Sequence, residues 1–231
     1  MRSRTETEPV RIDVDRIQLE GDLGLSEDPR GVVLFAHGSG SSRFSPRNRF
    51  VAGVLQNAQL ATLLVDLLTP EEERVDARTA HLRFDIGLLA DRLTAVTDWL
   101  TRDPRTRHLP IGYFGASTGA AAALVAAAER ANTVRAVVSR GGRPDLAGPA
   151  LPHVRAPTLL IVGGHDDVVI ELNRDALRDL RCEKRMVIVP RATHLFEEPG
   201  ALENVARLAR EWFETYLPSV APSARSAEVH A

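Results

Sequence analysis

Short apolar runs that alternate with helix-forming segments restrict this chain to one class of fold. Two early runs, Val32–Ala36 and Ala61–Val65, are apolar throughout except for Thr62. Continuous runs of this kind are typical of strands that are buried on both faces of a sheet. Four more follow along the chain, at residues 111–115, 134–138, 158–162 and 186–189, and they are apolar except for Arg135 and Thr158. The alternation predicts an α/β domain with a doubly wound, mostly parallel sheet and helices on both faces.

Two half-buried strands precede these runs. Residues 10–14 and Ile17–Leu25 carry apolar side chains at alternate positions, the spacing of a strand with one buried face. We expect residues 1–9 to form a flexible polar lead and residues 10–217 to form a single domain. Residues 218–231 have few bulky apolar side chains, which predicts a disordered tail.

The composition argues against several classes of function. Of the 231 residues 44% are hydrophobic, and the formal net charge of −2 gives no reason to expect nucleic acid or an anionic membrane as a partner. The apolar runs fall short of the ~18 residues that a membrane span needs. Residues 1–9 lack the apolar segment of a secretory signal, so we expect a cytoplasmic protein. The single cysteine, Cys182, has no disulfide partner and no metal-ligand spacing.

The pentad Gly115-Ala116-Ser117-Thr118-Gly119 lies between an apolar run and an alanine-rich segment. It matches G-x-S-x-G, a sharp strand-to-helix turn that presents a serine oxygen above the edge of a sheet. The turn is so tight that the positions two before and two after the serine favour glycine. The backbone N–H of Thr118 would lie at the N-terminus of the following helix, where the helix dipole stabilises a developing oxyanion. Because such pentads also occur in ordinary connecting turns, the residues downstream decide what this one means.

Polar residues follow four of the predicted strands. They are the loop 37–43, Ser117, the pair Asp166 and Asp167, and His194. We expect them to converge, since sites in such sheets form beyond the carboxyl ends of the strands. A serine nucleophile needs a base, a histidine can take and return its proton, and a carboxylate can fix the imidazole tautomer. The order serine, acid, histidine favours Ser117, Asp166 and His194, with Asp167 and Asp145 as alternative acids.

Four short motifs together resemble the α/β-hydrolase superfamily, and within it the lidless dienelactone-hydrolase-like branch. They are Gly-Ala-Ser117-Thr-Gly, His37-Gly38, Gly163-Gly164-His165-Asp166 and Ala192-Thr193-His194-Leu195-Phe196. The resemblance implies an α/β-hydrolase fold of about eight strands with the second antiparallel, and an acyl-enzyme route. It implies Ser117 as nucleophile, Asp166 as acid and His194 as base. The oxyanion donors would be the backbone N–H groups of Ser39 and Thr118.

The chain departs from that branch at its nucleophile. Dienelactone hydrolase itself has a cysteine there, so Ser117 argues against the lactone substrate of that enzyme and favours ordinary ester chemistry. We expect a hydrolase of carboxylic ester bonds, with thioesters or lactones as related substrates. The arginines that bind a carboxylate in that enzyme cannot be matched one by one, and the candidates are Arg43, Arg83, Arg140 and Arg143. The short connection 139–157 predicts no cap domain, and hence an open site for a small-molecule acyl substrate. The charged segment 67–83 is predicted to be irregular and to form part of the rim.

A different class of function is a binding or scaffolding module that keeps the fold with an idle triad. Nucleotide binding is disfavoured, because the loop 37–43 lacks the Gly-Lys-Ser/Thr ending of a phosphate-binding loop. The turn at Ser117 also has no acidic residue about 20 positions on, as a dinucleotide site requires. We expect His37 to be structural. No metal or organic cofactor is implied, and the oligomeric state stays open, with a homodimer as one option.

Overall fold

The structure, a computed structural model, describes residues 6–217. Its strands are β1 (Glu6–Val14), β2 (Ile17–Leu25), β3 (Val32–Ala36), β4 (Ala61–Val65), β5 (Ile111–Ala116), β6 (Val134–Arg140), β7 (Thr158–Gly163) and β8 (Lys184–Val189). They form one sheet in the order β1-β2-β4-β3-β5-β6-β7-β8. Strand β2 pairs antiparallel with both β1 and β4. The other six strands, β3 to β8, run parallel to one another. The predicted doubly wound, mostly parallel sheet of eight strands is confirmed.

Within residues 6–217, six α-helices connect and cover these strands. They are α1 (Pro46–Asn57), α2 (Pro70–Thr79), α3 (Ile86–Leu100), α4 (Thr118–Glu129), α5 (Asp167–Asp179) and α6 (Ala201–Tyr216), and two 3-10 segments span Leu82–Phe84 and Pro144–His153. The second 3-10 segment packs against α4 and takes the place where a cap would enter. Between residues 6 and 217, each helix is too short or too polar to cross a membrane.

The two faces of the sheet bury separate cores, because successive side chains of a strand point to opposite sides. Leu34 and Tyr113 pack on the side of α3 and α4. Phe35 and Phe114 pack on the side of α1 and α6, with their ring centroids 4.9 Å apart. The parallel strands β3, β4, β5 and β7 are buried at every position, as their sequences predict, whereas the edge strand β8 is largely exposed.

The start of the domain differs from the sequence prediction. Strand β1 begins at Glu6, and Glu6 pairs with Leu25 at the far end of the hairpin, so residues 6–9 are not a flexible lead. Ladder hydrogen bonds use the backbone, so a polar sequence on an exposed face does not prevent pairing. Residues 1–5 and 218–231, which contain the rest of the predicted lead and the predicted tail, lie outside the described part.

The segment predicted to be irregular contains helix α2. Thr69 caps it: its hydroxyl accepts from the N–H of Glu72, and the Glu72 carboxylate accepts from the N–H of Thr69 at 2.8 Å. Pro70 occupies the first turn, where its missing N–H costs nothing. Glu72 also accepts a 2.7 Å hydrogen bond from Arg92 on α3, so it is not simply solvated. The prediction was wrong because the acidic run obscured a threonine-to-glutamate capping box.

Candidate active site

Ser117 occupies a strained turn between β5 and α4. Its φ of 50° and ψ of −123° lie in a region that residues other than glycine rarely adopt. Two of its backbone hydrogen bonds join it to the segment after β6. The Ser117 N–H donates to the Arg140 carbonyl at 3.3 Å, and the Arg143 N–H donates to the Ser117 carbonyl at 3.1 Å. The segment after β6 thus fixes the turn from both sides.

The glycines of the pentad are required by close packing. A Cβ on Gly115 would lie 2.4 Å from Cα of Ala120. A Cβ on Gly119 would lie 2.3 Å from the Ala36 carbonyl oxygen at the end of β3. Both contacts are with backbone, which cannot rotate away. The tight turn therefore brings the first turn of α4 directly against the neighbouring strands.

Asp166 and His194 are in direct contact. Nδ1 of His194 lies 2.7 Å from Oδ2 of Asp166. Asp166 precedes α5 and His194 lies in the loop after β8, and the two loops are tied together by a 2.9 Å hydrogen bond from the His165 N–H to the Ala192 carbonyl. The carboxylate is largely buried, with 16% of its side chain exposed, whereas the imidazole is 38% exposed. A shielded acid beside an accessible base is an arrangement that can orient an imidazole.

The alternative acids are placed differently. Asp145 forms a two-pronged ion pair with Arg143, at 2.8 and 2.9 Å. Asp167 is the first residue of α5, and no hydrogen bond within residues 6–217 joins its side chain to His194. Of the three acids, Asp166 has the geometry that a His194 partner requires.

The imidazole of His194 lies beside the end of β6. A Cβ placed on Gly141 would be 3.6 Å from Cε1 of His194, and Gly141 directly follows Arg140, whose carbonyl holds the Ser117 N–H. In the part of the chain that the structure describes, no hydrogen bond joins Oγ of Ser117 to the imidazole. In the structure the predicted acid thus contacts the predicted base, and both lie at the edge of the sheet that carries Ser117.

The loop after β3 faces the elbow. The Ser39 N–H donates to Oγ1 of Thr118 at 3.0 Å, so a direct hydrogen bond joins the two residues predicted to supply oxyanion donors. The Thr118 side chain is a functional candidate that the sequence reasoning missed, since the motif assigns a role only to its backbone. The G-x-S-x-G pattern leaves that position unspecified, so the sequence carried no signal for it.

His37 supports this loop from inside the protein. Its Nε2 accepts from the Leu67 N–H at 3.2 Å, so Nδ1 carries the proton and donates to the Gly38 carbonyl at 3.0 Å. Burial lowers the pKa of His37, although the Gly38 carbonyl and the charge of Asp66 act in the opposite direction. The imidazole is therefore neutral and serves the structural role expected of it.

A cavity of about 310 Å³ opens beside the elbow. The loop 38–42 and Thr118 form one wall, and α2 forms another through Glu73, Asp76 and Ala77. Asp76 is 2% exposed and accepts hydrogen bonds from the backbone N–H groups of Leu82 and Arg83, at 2.7 and 3.2 Å. Partial burial and the charge of Asp66 raise the pKa of Glu73. The charged segment thus provides an ordered wall of this cavity.

Comparison with known proteins relates the chain to hydrolases of this fold. The model of the dienelactone hydrolase family matches residues 54–217. The crystal structure of a dienelactone hydrolase from Anabaena variabilis is 66% identical, with a TM-score of 0.91, and covers 92% of this chain and 98% of that one. Est1E from Butyrivibrio proteoclasticus shares the fold at 16% identity and a TM-score of 0.75, over 90% of this chain and 98% of its own.

A longer relative carries a different name. A protein of Mycobacterium tuberculosis, provisionally named a phosphoribosyl transferase, is 59% identical over 216 residues, which are 94% of this chain and 48% of that protein. The chain spans about half the length of the curated relatives it matches. The transferase name describes that whole, longer protein.

Proposed function

Because the chain belongs to the dienelactone hydrolase family, we propose that it is a serine hydrolase that cleaves carboxylic ester bonds of small molecules, with thioesters and lactones as related substrates. Ser117 is the proposed nucleophile, His194 the base and Asp166 the acid. The observation that carries the proposal is the 2.7 Å contact between Nδ1 of His194 and Oδ2 of Asp166. It leaves Nε2 of the imidazole as the nitrogen available for a serine proton.

The proposed reaction has two halves. Oγ of Ser117 attacks the carbonyl carbon as Nε2 of His194 takes its proton, and the resulting tetrahedral intermediate collapses when that proton passes to the leaving alcohol. Water then attacks the acyl-enzyme, again with His194 as base, and releases the acid and the free serine. Asp166 stabilises the imidazolium that forms in each half.

The proposed oxyanion donors are the backbone N–H groups of Thr118 and Ser39. The first lies at the N-terminus of the 12-residue helix α4, where the helix dipole favours negative charge. The second donates to Oγ1 of Thr118 at 3.0 Å. A substrate oxygen that took over this hydrogen bond would sit next to Ser117 with two donors already in place.

The test is covalent labelling with a fluorophosphonate probe combined with hydrolysis of a small activated ester. Ser117→Ala is expected to abolish labelling and to cut turnover by roughly 10³-fold or more, to the level that binding and the oxyanion donors alone support. His194→Ala should suppress both as well. Ser26→Ala is a matched control, because that side chain is 5% exposed and its hydroxyl has no hydrogen-bond partner among the described residues. Full ester hydrolysis by Ser117→Ala would refute the proposal.

A non-catalytic binding or scaffolding module is the second candidate. It is favoured by one observation, that no hydrogen bond joins Ser117 to His194 within residues 6–217. Catalytic hydrogen bonds are often long in substrate-free enzymes and tighten when substrate binds, so this observation alone does not outweigh the first candidate. A folded native protein that neither labels with the probe nor hydrolyses any ester would favour the module.

A further inference from the structure

Helix α5 buries an asparagine whose amide reaches out of the helix. Asn173 is 0% exposed and lies in the buried stripe of α5 with Val169, Ile170 and Ala176. Its Nδ2 donates to the Val169 carbonyl, one turn earlier, at 2.8 Å, and to the Gly142 carbonyl at 3.0 Å. Among residues 6–217, Gly142 is thus the one hydrogen-bond partner of this amide group outside α5.

The amide of Asn173 adds less to stability than a fully bonded group would. Because both neighbours are carbonyls, the Nδ2 end must face them, and Oδ1 has no donor among the described residues. A buried polar atom without a partner is costly, and asparagine is a weaker helix former than leucine or alanine. The contact that the amide does provide, the hydrogen bond to Gly142, therefore indicates its role.

Gly142 belongs to a segment that supports the elbow. We call residues 140–143 the supporting segment. The Arg140 carbonyl accepts the Ser117 N–H at 3.3 Å, and the Arg143 N–H donates to the Ser117 carbonyl at 3.1 Å, so Gly142 lies between the two contacts. Ser117 has a φ of 50°, a conformation that persists only when its surroundings enforce it. The hydrogen bond from α5 thus fixes the supporting segment between its two contacts with Ser117.

The supporting segment also lies against the elbow helix and the histidine loop. A Cβ added to Gly142 would lie 2.6 Å from Cβ of Ala120 on α4. A Cβ added to Gly141, which has a φ of 50°, would lie 3.1 Å from the His194 carbonyl oxygen. Because the segment approaches both elements this closely, a movement of Gly142 changes the position of Ser117 relative to His194.

The helix that carries Asn173 also begins at the proposed acid. Asp166 directly precedes α5, its carbonyl accepts the Ile170 N–H at 2.9 Å, and its Oδ2 lies 2.7 Å from Nδ1 of His194. Asn173 follows Asp166 by seven residues, which is about two helical turns and places both on the same side of the helix. Helix α5 therefore contacts the histidine at its start and the supporting segment of the serine two turns later.

We infer that Asn173 is a positioning residue, which holds Gly142 so that Ser117 stands where His194 can take its proton. The inference rests on the proposed hydrolase function. Asn173 is not among the residues that line the cavity beside the elbow, so its loss should slow the chemical step and leave substrate binding unchanged. Misplacing reacting groups by about 1 Å can cost roughly 100-fold in rate.

The first test replaces the amide and measures kcat and KM separately with 4-nitrophenyl butyrate. Asn173→Leu keeps the size of the side chain and removes its donors. Asn173→Ser is the milder change, because its hydroxyl can donate to the Val169 carbonyl but is too short to reach Gly142. Both variants are expected to lose roughly 10- to 100-fold in kcat, with KM changed by less than about threefold. A wild-type kcat in Asn173→Ser would overturn the inference, whether or not Asn173→Leu folds.

Thr97→Val is the matched control, because Thr97 makes the same pair of contacts on another helix. Thr97 is 0% exposed on α3, donates to the Leu93 carbonyl one turn earlier at 2.8 Å, and is hydrogen-bonded to the Tyr113 hydroxyl on β5. Its loss should lower the urea midpoint about as much as Asn173→Ser does, while kcat stays at the wild-type level. An equal fall of kcat in both variants would show that lost stability sets the rate, and would overturn the inference.

The second test needs no turnover. Amide hydrogen exchange followed by NMR should be faster at the Ser117 and Arg143 N–H groups in Asn173→Ser than in Thr97→Val, by roughly tenfold or more. The comparison with Thr97→Val removes the part of the change that comes from lower global stability. Equal exchange rates at these two amides would show that Asn173 does not hold the turn, and would overturn the inference.

The two proposals fail in different ways. A protein that labels with the fluorophosphonate probe and hydrolyses the butyrate, but keeps its kcat in Asn173→Ser, would refute the positioning role and leave the hydrolase intact. A protein that hydrolyses no ester, while Asn173→Ser speeds exchange at the Ser117 and Arg143 amides, would refute the hydrolase and leave Asn173 as the residue that holds the turn.

Discussion

Replacing Gly119 by alanine puts a methyl group where the structure has no room for one. Its Cβ would lie 2.3 Å from the Ala36 carbonyl oxygen and 2.4 Å from that of His37. Contacts of a Cβ below 3.0 Å are essentially never observed, so α4 and the end of β3 must separate by at least 0.7 Å, the difference between 3.0 and 2.3 Å. No rotamer change can relieve the clash, since both partners are backbone oxygens.

The consequences follow for stability and for activity. Forcing an extra carbon into a packed interior typically costs about 1–3 kcal/mol of unfolding free energy. The same displacement separates the N–H groups of Ser39 and Thr118, which lie on the two elements that are pushed apart. Misplacing catalytic groups by about 1 Å can cost roughly 100-fold in rate. We therefore expect Gly119→Ala to have a lower free energy of unfolding in urea than the wild type. We also expect it to lose at least 90% of the wild-type rate of ester hydrolysis.

Gly53 provides the matched control. It lies inside α1, and a Cβ added there meets no heavy atom within 4 Å. Alanine is favoured over glycine in a helix interior by about 0.5–1 kcal/mol, so Gly53→Ala should be slightly stabilising and fully active. The two variants should thus differ by about 1.5–4 kcal/mol in urea unfolding. Equal stability, with activity kept in Gly119→Ala, would show that the elbow does not depend on this close approach.

Three further predictions concern residues around the elbow. Asp166→Asn should preserve the fold but lower kcat by roughly 10⁴-fold in steady-state assays, because an amide group facing Nδ1 of His194 favours the wrong tautomer. Thr118→Val should lower the unfolding free energy in urea by about 1 kcal/mol by removing the acceptor of the Ser39 N–H, and Thr118→Ser should retain most of it. His37 has a folded-state pKa below the usual 6.5, so its contribution to stability is complete above pH 6.5 and is lost as the pH falls below that value. Urea titrations between pH 7 and 5 should show a smaller slope for His37→Asn than for the wild type, by up to about 1.4 kcal/mol per pH unit. Wild-type stability for Thr118→Val, unchanged kcat for Asp166→Asn, or equal pH slopes would each contradict the corresponding argument.

The fold was predictable because its strongest signals are local. A strand buried on both faces is apolar at nearly every position, so Val32–Ala36 and Ala61–Val65 are recognisable without knowledge of their partners. Strand β1 was located less well. Its first residues pair through the backbone with β2 while their side chains stay exposed, and exposed side chains carry little information about backbone pairing. Helix α2 was predictable in principle from Thr69 and Glu72, and was missed because its acidic residues were interpreted as solvated.

The site is harder to predict, because it depends on which side chains pair with each other. The sequence offers three acids for one histidine, and only the folded chain shows that Arg143 engages Asp145 while Asp166 reaches His194. The four candidate arginines are likewise indistinguishable by type. Arg43, Arg83 and Arg143 each pair with a carboxylate, whereas Nε and Nη1 of Arg140 have no acceptor among residues 6–217.

The register of two neighbouring strands explains why the loop and the elbow meet. Strands β3 and β5 run parallel, and Ala36 is directly opposite Gly115. Strand β3 ends at Ala36 and β5 ends one residue further on, at Ala116, so the loop that begins at His37 and the turn at Ser117 leave the sheet at nearly the same height. A shift of one residue in this pairing would reverse every side chain of β3 between the two cores, from Leu34 on one face to Phe35 on the other. The apolar packing that stabilises the sheet is thus also what sets the Ser39 N–H next to Thr118.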